Sequence, residues 1–87
     1  MKISQKELKQ LIDEAKLNVQ VGAQYRHYKS ADLVYEVQDI VIQEADNQPC
    51  VIYQAMYGSN ITFSRPLSAW LEEVDNNGTN VPRFTKI

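Results

Sequence analysis

The apolar residues repeat with a helical period near the N-terminus and with a strand period almost everywhere else. That switch limits the chain to a mainly β fold carrying one substantial helix. Leu8, Leu11, Ile12 and Ala15 fall at i, i+3, i+4 and i+7, which draws one apolar stripe along a helix over residues 4 to 16. Ser4 and Glu7 precede it with capping-box spacing, where each side chain can satisfy an otherwise unpaired backbone N–H, and Ile3 and Leu8 stand as a hydrophobic staple. The opposite face is Lys6, Lys9, Gln10, Asp13, Glu14 and Lys16. Such a stripe is expected to cover a barrel end or sheet face of the same chain, with a second subunit as the alternative.

After "NVQVG" the period becomes two. In "YRHYK", Tyr25 and His27 are expected on one face and Arg26 and Tyr28 on the other. Leu33, Tyr35 and Val37 share a face, but Ile40, Val41 and Ile42 run together, so a bulge or sharp bend is predicted near Gln38–Asp39. "ADNQP" reads as a hairpin loop, "CVIYQAMY" as a central strand and "GSN" as a tight turn into "ITFS". In "SRPLSAWLEEV", Ser64 can cap a short helical turn, Pro66 suits its first residue, and Leu67, Trp70 and Leu71 share a face. Asn77-Gly78 signals a hairpin that should pair Val74 with Val81, and "VPRFTKI" reads as one closing strand, with Pro82 placing it at an edge or standing on its unpaired side.

These elements predict a mainly β, small five-stranded, strongly bent Src-homology-3-like barrel. It carries an N-terminal amphipathic helix (1–18) packed on a barrel (19–87) and a short helical turn before the last hairpin. An open five-stranded sheet against the helix is the competing architecture. A chain of 87 residues makes one domain with one modest core.

Composition narrows function mostly by exclusion. The net charge is −2, and between Ser30 and Asp75 the acids Asp32, Glu36, Asp39, Glu44, Asp46, Glu72, Glu73 and Asp75 face one base, Arg65. That balance argues against duplex DNA as a partner. No apolar run approaches the ~18 residues of a membrane span. The polar N-terminus lacks a secretory signal, and a single cysteine, Cys50, gives no case for an oxidising compartment, so a cytoplasmic location is expected. No metal-ligand spacing, phosphate-binding glycine loop or catalytic carboxylate pair is visible, and no cofactor is implied.

His27 with Cys50 could in principle make a nucleophile–base pair, but a cysteine opening an apolar strand reads as a buried, inert thiol. His27 itself reads as structural ahead of acid–base work. The aromatics are more suggestive. Tyr25, Tyr28, Tyr35, Tyr53, Tyr57, Phe63, Trp70 and Phe84 are too many for so small a core to hide, and Arg26, Arg65 and Arg83 lie among them. Exposed together, they would form a stacking and anion-reading surface. The alternative is cross-strand tyrosine pairs with wet hydroxyls and arginines neutralised by local acids such as Glu36, Glu72 or Glu73.

The ordered blocks "GAQYRHYKS", "VIYQAMYGS", "SRPLSAWLEEV" and "GTNVPRF" resemble those of the domain-of-unknown-function 1653 family of bacterial proteins, over residues 22 to 84. By that resemblance Tyr25, Arg26, His27, Tyr28, Lys29, Tyr53, Tyr57, Gly58, Arg65, Pro66, Pro82, Arg83 and Phe84 occupy signature positions. Two places depart from the family pattern. "QEADNQ" (43–48) replaces a His-Ser-Glu-Thr-like segment, and Phe63-Ser64 replaces Trp-Val before Arg-Pro. The resemblance carries no established activity.

The expectation is therefore a non-catalytic binding module using Arg26, His27, Tyr28, Tyr53, Tyr57, Arg65 and Arg83 for a protein segment or a small anionic ligand. A small enzyme or enzyme subunit with His27 as acid/base and a weak single-stranded nucleic-acid binder are the alternatives.

Overall fold

The structure is a computed structural model and describes residues 3–87. Along the chain run α1 (Gln5–Asn18), β1 (Gln24–His27), β2 (Val34–Gln43), β3 (Gln48–Ala55), β4 (Thr62–Pro66), α2 (Leu67–Trp70), β5 (Glu73–Asn76), β6 (Thr79–Pro82) and β7 (Phe84–Lys86). The strands make a five-stranded sheet in the order β4-β3-β2-β1-β7, and β5 and β6 form a separate two-stranded ribbon. All pairings are antiparallel. The protein is mainly β with an N-terminal helix.

Helix α1 starts where the capping signal places it. The Ser4 hydroxyl oxygen accepts from the Glu7 N–H at 3.1 Å, and the same hydroxyl donates to the Glu7 carboxylate at 3.1 Å. Its stripe is seated only toward the C-terminal end. Ala15 and the capping residue Val19 are fully buried and Ile12 packs against them, whereas Leu8 and Leu11 are half-buried.

The bend in β2 falls where the broken alternation predicts it, as a register shift between Val37 and Asp39 against β3. The shift turns Ile40 back into the core beside Val51 and lets the long strand curve. The β5–β6 turn is Asn77-Gly78, both at positive φ (56° and 86°), and it pairs Val74 with Val81 as expected.

Three local expectations are corrected. Ser64 is not a helix cap; it lies within β4 opposite Ile52, and α2 begins only at Leu67. Leu71 does not share the buried face of Leu67 and Trp70 but is exposed. The closing segment is two strands, because the chain turns at Arg83, whose N–H bonds the Glu72 carbonyl at 3.1 Å. β6 thus stays with β5, while β7 crosses to β1.

The core joins Val19, Val37 and Val51 to Tyr25, Tyr35, Tyr53, Trp70 and Phe84. Its aromatic part is layered: Trp70 stacks flat on Phe84, and Tyr25 and Tyr53 meet Trp70 edge-on at 5.3 and 5.0 Å.

Candidate functional site

Strand register decides which candidate residues can meet. Residues directly opposite in an antiparallel pair share a face. Tyr25 lies opposite Tyr35, His27 opposite Phe84, Tyr53 opposite Phe63, and Val51 opposite Arg65. His27, Phe84, Phe63 and Arg65 are therefore on the inner, aromatic face with the core. Arg26 takes the alternate position, opposite Thr85, and is exposed on the outer face. It does not join the others.

Arg65 comes from one end strand and Phe84 from the other. The guanidinium carbon of Arg65 lies 5.6 Å from the centroid of the Phe84 ring, within cation–π range, and its Nε donates to the Tyr53 hydroxyl at 3.3 Å. Among the described residues no carboxylate lies within salt-bridge distance of Arg65. Arg83 differs: its Nη2 donates to the Glu72 carboxylate at 2.9 Å, while its Nε is buried and has no acceptor among the described residues.

His27 feels both of these charges. Its ring meets Phe84 edge-on at 5.2 Å and leans on Tyr28 at 4.7 Å. Tyr28 lies just beyond the end of β1, so it packs on His27 and does not take the opposite face of the strand. The Lys29 N–H donates to His27 Nδ1 at 3.2 Å, which makes Nδ1 the acceptor and leaves the Nε2 proton of the neutral ring for another partner. Burial lowers the His27 pKa from its ordinary value, and Lys29, Arg83 and Arg65 lower it further. The charges that act on it in this way, those of Lys29, Arg83 and Arg65, are all positive.

The remaining candidates divide. Tyr53 is buried and serves as acceptor for Arg65. Tyr57 stands at the rim, 39% exposed, with its hydroxyl 2.5 Å from that of Tyr35. Burial, with this hydrogen bond second, pushes the Tyr35 phenol up to about 12. The sequence-based set omits Lys29, Phe63 and Phe84, although all three belong to the cluster. The alternation Phe63-x-Arg65 opposite Val51-x-Tyr53 is the signal that places Phe63 on the face of Arg65, and the pairing with His27 places Phe84 there.

The other chemistry-bearing groups stand apart. The Cys50 thiol is buried, and burial followed by Asp46 raises its pKa, as befits an inert thiol. Among the described residues no group of three or more His, Cys, Asp or Glu side chains could hold a metal. Two concavities lie away from the cluster, one beside Pro49 and Leu67 and one between Leu8, Ile12 and Ile42. No helix among the described residues is long and apolar enough to cross a membrane.

A family model described as a protein of unknown function, DUF1653, matches residues 23–86. Among solved structures, the crystal structure of a DUF1653 protein from Bordetella bronchiseptica is similar, with a TM-score of 0.67 and 26% identity. The match covers 76% of this chain and 85% of that one. No curated protein matches the chain. The matched segment contains every strand of both sheets and each residue of the Arg65–His27–Arg83 cluster, and the chain belongs to the DUF1653 family.

Proposed function

We propose that this chain is a non-catalytic binding module, working in the cytoplasm, whose arginine and aromatic surface around His27 recognises an anionic group on a protein segment or small ligand. In this reading residues 1–18 pack on residues 19–87 as one domain. The sheet curls into a Src-homology-3-like barrel whose concave face carries the site. The contact of Arg65 on β4 with Phe84 on β7 supports that curl, because it joins the two end strands across the inner face.

The observation that carries the reading is Arg65, a cation on an aromatic face with a tyrosine hydroxyl for a partner and no carboxylate among the described residues. Lys29 and Arg83 add positive charge there, and Glu72 is bound to only one of the three. An anion would neutralise the surplus and accept hydrogen bonds from guanidinium N–H groups and the His27 Nε2–H. Acid–base work would call for a carboxylate to orient His27, and its Nδ1 is instead held by a backbone N–H.

Titration of isotopically labelled protein with inorganic phosphate, and separately with N-acetylglutamate, tests this. The account expects amide shifts concentrated at His27, Lys29, Arg65 and Arg83 that disappear in Arg65→Met. Shifts scattered over the surface, or retained in Arg65→Met, would overturn it.

A further inference from the structure

Strand β4 ends the five-stranded sheet, and one hydrogen bond settles which of its backbone groups lack a ladder partner. The Ala55 N–H donates to the Ile61 carbonyl at 2.9 Å. That makes Ala55 and Ile61 a hydrogen-bonded pair, and by alternation Tyr53/Phe63 and Val51/Arg65 also face each other across the ladder. Thr62, Ser64 and Pro66 therefore turn their backbone groups away from β3. Pro66 lacks an N–H, and it stands at an outward position where no ladder bond is lost. Thr62 and Ser64 are left with outward N–H and C=O groups on an exposed edge.

Open edges of this kind are usually blunted by lysine, by inward-pointing charge or by a covering element. The strand reads Thr-Phe-Ser-Arg-Pro, so the inward-pointing Arg65 and Pro66 are such devices at its C-terminal end, and none stands at Thr62 or Ser64. Phe63 is 41% exposed, and Ile61 and Tyr57 are exposed beside it on the hairpin. The inner-face side chains of β4 are thus an aromatic ring and, two residues on, an arginine without a carboxylate partner among the described residues.

We propose that β4 is a docking edge for an extended acidic peptide segment of a partner protein, which adds to the sheet as a further strand. The proposal rests on the reading that the Arg65 cluster receives an anion, and it specifies how that anion is presented. Side chains of an added strand alternate between faces, so the peptide places an apolar residue beside Phe63 and a carboxylate two positions away beside Arg65. Charge complementarity with Arg65, a cation on a strand that carries no acid, favours this occupant. A second copy pairing through β4 would bring another Arg65 to the same edge and, from that strand, no carboxylate.

The test uses the whole chain, isotopically labelled, and an acetylated, amidated octapeptide of alternating threonine and valine carrying one glutamate two residues from a valine. Binding is expected to slow amide exchange at Thr62 and Ser64 in proportion to occupancy and to shift Arg65. Replacing the glutamate by lysine should weaken binding at least about tenfold, as for loss of a charge-assisted contact. Arg65→Glu should reverse the preference between the two peptides, and Arg65→Gln, a milder change, should abolish it. If inorganic phosphate shifts Arg65 and His27 while the peptide leaves Thr62 and Ser64 exchanging freely, the edge proposal fails and the anion reading stands. Equal binding of both peptides, or protection that grows with protein concentration alone, also overturns it.

Discussion

Trp70 lies flat on Phe84, with ring centroids 3.8 Å apart and planes 8° from parallel. This contact fastens the short helix after β4 to the last strand, so it joins the two ends of the sheet through one stacked pair. The same Phe84 ring carries the Arg65 guanidinium and the edge of His27. Packing and candidate site therefore share a residue.

Trp70→Ala is expected to destabilise the fold by about 3–5 kcal/mol, the range for truncating a buried large aromatic. Urea unfolding followed by far-ultraviolet circular dichroism measures it. A midpoint like that of the wild type would show that α2 does not fasten the sheet ends.

The helix should respond unevenly to truncation. A uniformly packed stripe would make Leu11→Ala cost about 2–5 kcal/mol. Leu11 is instead half-buried, so its cost should fall below about 2 kcal/mol, while overpacking by Ala15→Leu should cost about 1–3 kcal/mol. Denaturation midpoints of the two variants decide the matter. A larger loss for Leu11→Ala would place the anchor in the wrong half of α1.

The parts legible in the sequence are those governed by local period and turn chemistry. Ser4 begins the helix, the run Ile40-Val41-Ile42 betrays the bulge before it, and Asn77-Gly78 fixes the register of Val74 with Val81. Ser64 was open to misreading because its capping chemistry and its place in β4 are both compatible with "SRP", and only the pairing with Ile52 decides between them. Arg83 breaks the last strand through a tertiary hydrogen bond to Glu72, which no window of "VPRFTKI" contains. The site was half legible for the same reason. Alternation separates Arg26 from His27, but the meeting of Arg65 with Phe84 depends on how far the whole sheet curves.

The phenol pair at the rim predicts an alkaline signature. Tyr35 ionises near pH 12, above the ordinary 10, because burial and the Tyr57 hydroxyl favour its neutral form. A phenol whose folded pKa is raised contributes stability that is fully present below pH 10 and is lost as pH rises from there through about 12. Tyr57→Phe should lower the Tyr35 pKa without restoring 10, since burial is the larger cause. Spectrophotometric titration of the tyrosines reads this, and an unchanged Tyr35 in Tyr57→Phe would contradict the account.

Single-stranded oligonucleotides should bind weakly at physiological salt, because the cationic cluster is small and the chain carries net charge −2. Fluorescence polarisation with a labelled oligothymidylate is sufficient. Tight binding that falls steeply with added salt would reveal a basic groove and overturn this expectation.

Arg65 without a carboxylate carries the functional reading, and it acts on His27, the sole histidine of the chain, whose titration can be assigned without ambiguity. Proton NMR of the imidazole across the pH range, in wild type and in Arg65→Met, separates the influence of Arg65 from that of burial, the larger cause. The His27 pKa is expected below the ordinary 6.5 in the wild type, to move upward in Arg65→Met, and to move upward in the wild type when inorganic phosphate is added. A wild-type value at or above 6.5 that responds to neither the substitution nor the anion would contradict the functional reading.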